Sequence, residues 1–226
     1  MTRLSHIARR VAGVLTLAGT ALLGSAGTAS ALAVIEGTVA LPAPAPAPIA
    51  QPRYPVAASY TIGLPDPPAA VVYLEGAFGV SAQEGAPRAE VAQREYQFAP
   101  GLLAVRRGTI VSFPNLDDEY HSVFSYSKAK RFDLGRYHKN ESPAELTFDQ
   151  AGVVKLYCEI HDHMRGTILV LDTPYFQKTD AAGRYRLENL PAGRWVLKAW
   201  IDDGAVLERP VELRDGTHLH INFETR

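Results

Sequence analysis

Apolar runs in this 226-residue sequence are short, and glycine, proline or aspartate cuts each of them within a few positions. From Val91 onward such runs lie at 93–98, 102–105, 109–113, 122–126, 144–148, 152–157 and 167–171. Alternation with a period of two puts successive side chains on opposite faces of a strand, so that one face can be buried. Two earlier runs, 34–40 and 69–74, read in the same way, as do 184–187, 194–200, 211–213 and 219–223 near the C-terminus. No stretch keeps the period of an amphipathic helix. Many short strands cut by turn residues predict an all-β protein built of sandwiches.

The first residues are set apart from this pattern. Arg3, Arg9 and Arg10 flank or precede an apolar run over 11–23, and small residues then lead to Ala29-Ser30-Ala31 and Ala31-Leu32-Ala33. That is the layout of a secretory signal peptide; the run is too short for a membrane span of about 20 residues. Residues 1–33 are expected to be a signal peptide cleaved near Ala31 or Ala33. The remainder is expected to be periplasmic or otherwise secreted, with no membrane span in the mature chain. The sequence carries 23 Lys and Arg against 24 Asp and Glu, and without the three leader arginines the formal charge is about −4. No basic block remains to track a nucleic acid backbone, so nucleic acid is not an expected partner. Alternating Ala-Pro over 41–48, continued by Pro52 and Pro55, favours extended polyproline II and reads as a stiff spacer.

Cys158 is the only cysteine in the chain. It cannot form an internal disulfide, and a free thiol in an oxidising compartment risks oxidation or intermolecular pairing. A buried cysteine can simply act as a small hydrophobe; a thiolate committed to a metal is the sharper reading. Its neighbours favour the second. Cys158, His161 and Met164 lie within seven residues, between the runs at 152–157 and 167–171. Thiolate, imidazole and thioether together suit copper, and two histidines with one cysteine and a weak axial methionine make the blue-copper donor set. The second histidine must come from elsewhere, and His121 stands just before the run at 122–126. His163 is an alternative to His161. His218 and His220 share a strand face and could bind a metal, although a solvated sheet face accounts for them; His138 reads as surface loop. With six histidines outside the leader, a multicopper cluster is not expected.

Phe98-Ala99-Pro100, Val105-Arg106-Arg107-Gly108-Thr109, Val111-Ser112-Phe113-Pro114-Asn115, His121-Ser122-Val123-Phe124 and Tyr157-Cys158 with His161 resemble the cupredoxins, plastocyanin-type copper domains. Phe113-Pro114-Asn115, Ile160-His161-Asp162 and Asp172-Thr173-Pro174-Tyr175-Phe176 are similar to the periplasmic plastocyanin-like proteins labelled methylamine-utilisation proteins. The resemblance covers about residues 89–171. It implies a Greek-key β-sandwich with one type 1-like copper ion at one end, held by His121, Cys158, His161 and Met164. Two residues separate His161 from Met164, where plastocyanin loops usually have four.

Thr179-Asp180, Gly183-Arg184-Tyr185-Arg186-Leu187 and Leu190-Pro191-Ala192-Gly193 resemble carboxypeptidase regulatory-like domains, small transthyretin-like sandwiches. That family's opening Gly-Thr-Val occurs here at Gly37-Thr38-Val39, ahead of the cupredoxin segment. Residues 34–88 plus 172–226 are therefore expected to form one discontinuous sandwich, with the cupredoxin domain, 89–171, inserted in it; tandem order is the alternative. The implied function is one-electron transfer to a redox partner protein in the periplasm, with no catalytic residues. A copper carrier or storage protein, and a β-sandwich scaffold with a degenerate site, are the competing readings. A copper enzyme ranks last because ligands for a second copper are not evident.

Overall fold

A computed structural model describes residues 32–44, 46, 61–76, 78, 86–141, 145–202 and 205–224. Of the leader expected at 1–33, residues 1–31 lie outside the described residues, as do 45 and 47–60, which take in the rest of the Ala-Pro spacer. The strands are β1 (Ala33–Thr38), β2 (Val71–Glu75), β3 (Arg88–Glu90), β4 (Ala92–Arg94), β5 (Gln97–Ala99) and β6 (Leu102–Arg106). They continue with β7 (Thr109–Ser112), β8 (His121–Tyr126), β9 (Arg131–Tyr137), β10 (Glu145–Phe148), β11 (Gly152–Tyr157) and β12 (Arg165–Leu171). The last are β13 (Phe176–Lys178), β14 (Arg184–Leu190), β15 (Gly193–Asp202), β16 (Ala205–Leu213) and β17 (His218–His220). Among the described residues no helix is long and apolar enough to cross a membrane.

The middle of the chain makes a sandwich. One sheet has the order β6-β12-β11-β8-β9 and the other β10-β7-β3, with the small β4-β5 hairpin beside them. The two-residue period of the sequence becomes a shared core of Val105, Val111, Val123, Phe148, Val154, Leu156, Ile168 and Val170, drawn from both sheets. Each such side chain contributes roughly 1.5–3 kcal/mol by leaving water. β12 pairs parallel with β6 but antiparallel with β11, so sheet neighbours are not always chain neighbours.

Strands from the two ends of the described chain pair with one another. β1 lies between β14 and β17, while β2 lies between β13 and β15, with β16 at the edge. Their inward residues, among them Ile35, Val72, Leu74, Leu187, Leu190, Leu197 and Leu213, form a second core. A third cluster, Val71, Leu169, Leu171 and Trp200, joins the two bodies through the outer face of β12.

Three sequence readings change. The run at 93–98 is not one strand but a hairpin that turns at Glu95 and Tyr96. Strands not read from the sequence are β3, β13 and β9, the last ending at Tyr137, just before His138, which read as surface loop. The run at 211–213 is the end of a longer strand, β16, which contains Pro210 paired opposite Val196. Proline lacks the N–H of an inner ladder but fits an edge strand, which is where β16 lies.

Candidate metal centre

Strand pairing brings the donors together. Tyr157 at the end of β11 pairs with Phe124 of β8, so the next residue, Cys158, falls near the start of β8, where His121 stands. The link from β11 to β12 then turns over this end of the sandwich and supplies His161. His121 Nδ1 lies 3.0 Å from His161 Nδ1, and Cys158 Sγ lies 3.8 Å from the same nitrogen. Ligand atoms of all three residues lie within 4.8 Å of one another, and among the described residues no other such group of metal-binding side chains occurs. His121 is 0% exposed and Cys158 4%, while His161 is only partly buried.

The loop before β8 is braced from within. Asn115 Nδ2 donates to the carbonyls of Glu119, at 2.7 Å, and Tyr137, at 3.0 Å, while its Oδ1 accepts from the N–H of Asp117 at 2.9 Å. Asp117 Oδ2 lies 2.8 Å from His121 Nε2. The same carboxylate accepts from the backbone N–H groups of Glu95, at 2.7 Å, and Tyr96, at 2.9 Å. Those two residues form the β4–β5 turn with φ of 52° and 59°. Left-handed backbone costs an ordinary L-residue roughly 1–2 kcal/mol, and a hydrogen bond to a charged group returns about 1.5–3 kcal/mol. Two such bonds offset the strain of a turn made without glycine or asparagine. Tyr96 stands edge-on to both metal-facing rings, its centroid 5.6 Å from that of His121 and 5.1 Å from that of His161.

Cys158 is set up as a thiolate. Burial pushes its thiol up, but the adjacent His121 and His161 rings and the backbone of Ser122 and His161 outweigh this and bring it from 9.0 down to about 5. The Ser122 hydroxyl lies 3.9 Å from Sγ and accepts from the N–H of Glu159 at 2.8 Å, fixing the chain on either side of the sulfur. A first-row ion binds imidazole nitrogen at about 2.0 Å and thiolate sulfur at about 2.3 Å, so separations of 3.0 and 3.8 Å are within reach of one ion. The donor chemistry and its spacing fit a single copper.

Met164 is 1% exposed and packs in the same core cluster as Cys158, and its N–H donates to the His161 carbonyl at 3.0 Å. His163 points elsewhere: its Nε2 donates to the Tyr96 carbonyl at 3.0 Å, and its ring centroid is 6.0 Å from that of His161. Burial, with repulsion from His161 and His121, holds it below the usual histidine range. His138 is partly buried beyond β9, with its ring 5.2 Å from that of Tyr120. His218 reaches Glu36 at 3.1 Å, on an exposed part of the strand, and His220 is exposed beside it. Asp117 and Tyr96 were not singled out from sequence. Asp117 is one of three adjacent acidic residues before His121, and Tyr96 falls within the run at 93–98.

No protein-family model matches the chain, and no curated protein is similar to it. Similar solved structures include a copper-containing nitrite reductase from Thermus scotoductus SA-01, at 26% identity and TM-score 0.37, covering 43% of this chain and 25% of that one. This chain thus spans only a quarter of the reductase. A reduced amicyanin variant has 23% identity and TM-score 0.35 over 44% of this chain and 98% of its own. A purple cupredoxin from Nitrosopumilus maritimus has 23% identity and TM-score 0.33 over 38% of this chain and 99% of its own.

Proposed function

We propose that this chain is an exported cupredoxin-type protein that holds one type 1-like copper ion and carries single electrons between periplasmic redox partners. The observation that carries this reading is the inward-facing His121–Cys158–His161 group, whose ligand atoms all lie within 4.8 Å of one another. His121, Cys158 and His161 would hold the ion, with Met164 as the weak fourth donor. Copper in such a donor set supplies a reversible Cu(II)/Cu(I) couple. The residues of the chain do the rest. Cys158 is kept deprotonated by its histidine and backbone partners, His121 is sealed from water, and partly buried His161 gives the site its route to the surface. Two braced loops leave the donors little freedom to rearrange, which suits an electron carrier better than a copper carrier that releases its metal.

We further propose that residues 89–171 form the copper domain. Residues 34–88 with 172–226 would form a carboxypeptidase regulatory-like sandwich around it, and 1–33 would direct export. Support for this division comes from the pairing of β1 and β2 exclusively with strands that follow Asp172 among the described residues.

Visible absorption and electron paramagnetic resonance of the Cu(II)-loaded protein, beside Cys158→Ser, test the function. An intense thiolate-to-copper band that disappears in the variant supports it. Copper bound weakly with no such band would overturn it in favour of a carrier or scaffold.

A further inference from the structure

The contacts of Asp117 reach both layers of the site. Its Oδ2 is 2.8 Å from His121 Nε2, on the side of the ring away from the metal-facing nitrogen. A carboxylate oxygen accepts but does not donate, so Nε2 carries the proton. In the neutral ring Nδ1 is then bare. The other close contact agrees: two ring nitrogens 3.0 Å apart need one proton between them, and with His121 Nδ1 bare that proton belongs to His161. Asp117 also accepts from the N–H groups of Glu95 and Tyr96, whose carbonyl in turn receives His163 Nε2. One side chain, 11% exposed, thus fixes the tautomer of a buried ligand and the turn that places a tyrosine edge-on to both histidines.

We infer that Asp117 is the positioning residue of this centre: it presets His121 as an Nδ1 donor before metal arrives, and once copper is bound its negative charge favours Cu(II) over Cu(I). A carboxylate behind a ligating histidine both orients the ring and makes it a stronger donor. The electrostatic part of the inference rests on the copper reading, whereas the tautomer does not. Nothing in the sequence distinguishes Asp117 from Asp118 and Glu119 beside it. Asp118 is turned outward, with an 81% exposed side chain, and pairs with Lys139.

Histidine nitrogen chemical shifts of the metal-free protein, labelled with nitrogen-15, read the tautomer directly. Wild-type His121 is expected as the Nε2–H form, and in Asp117→Asn this preference should be lost. In the copper-loaded protein, Asp117→Asn should lower the Cu(II)-to-Cu(I) affinity ratio about tenfold, a rise of about 59 mV in potential for one electron. Tyr96→Leu, which keeps the backbone N–H groups and Asp117, should leave the tautomer unchanged. An Nδ1–H wild-type His121 overturns the inference without any variant having to fold. So does a folded Asp117→Asn protein with unchanged tautomer and potential. If wild-type protein gives no thiolate–copper band, the copper reading fails while the metal-free measurement still decides the tautomer.

Discussion

The thiol of Cys158 offers a quantitative test that needs no metal. Its value falls from 9.0 to about 5 in the folded chain because the adjacent His121 and His161 rings and the backbone outweigh burial. An acid whose value is depressed by folding stabilises the folded state above its unfolded value, and this contribution is lost as pH falls through the folded value. The window therefore runs from about pH 9 down to about pH 5. At pH 7, two units above the folded value, each unit is worth about 1.4 kcal/mol, which gives a contribution of about 3 kcal/mol. Cys158→Ser lacks it. Urea unfolding of reduced, metal-free wild type and variant should show a stability gap that is wide at pH 9, about 3 kcal/mol narrower at pH 7, and almost closed near pH 5. Thiolate absorbance of folded wild type should disappear over the same lower range. A gap that stays flat between pH 5 and 9, with thiolate appearing only near pH 9, would refute the reasoning, since the histidines would then not be stabilising the anion.

Other expectations concern single side chains. His163→Ala should keep the thiolate-to-copper band, because its Nε2 is engaged with the Tyr96 carbonyl, while His161→Ala should abolish the band; absorption spectra of the two loaded variants decide this. Glu95→Asn should stabilise the protein by about 0.5–1 kcal/mol, because asparagine tolerates the left-handed φ of 52° better than glutamate, and thermal melting would register the rise. Gly183→Ala should cost at least about 1–3 kcal/mol, visible as a lower urea midpoint. Its φ is +77°, and an added Cβ would sit 2.1 Å from the Val39 carbonyl oxygen.

The strands of the two cores were legible because period-two alternation survives wherever one face is buried, as in β1, β7 and β14. The cluster of His121, Cys158 and His161 was legible for a chemical reason: one cysteine, with histidine and methionine close behind it, has few other uses. What stayed hidden depended on partners distant in sequence. The turn at Glu95 and Tyr96 has no Asn-Gly signature, since its strain is offset by Asp117, more than twenty residues later. Alternate residues of β9 are exposed and its other side chains are mostly half-buried, so its pattern lacks a strong apolar period. The first residues of β16 were masked by a proline that only an edge position explains. The choice between His161 and His163 is a matter of which way each ring points, which spacing alone does not determine.

β12 leaves the loop that carries His161 at Arg165 and runs seven residues to Leu171, which packs with Val71 and Trp200 where the two bodies meet. At about 3.3 Å per residue the strand is a strut of roughly 23 Å. The contact of Leu171 with Val71 and Trp200 is therefore held apart from His161 by a stiff, hydrogen-bonded rod rather than by a loose tether. Residues ahead of β3 also reach the donor end of the sandwich: Gly63 donates its N–H to the Glu95 carbonyl at 3.0 Å, so the turn beside His121 and His161 is tied to them as well.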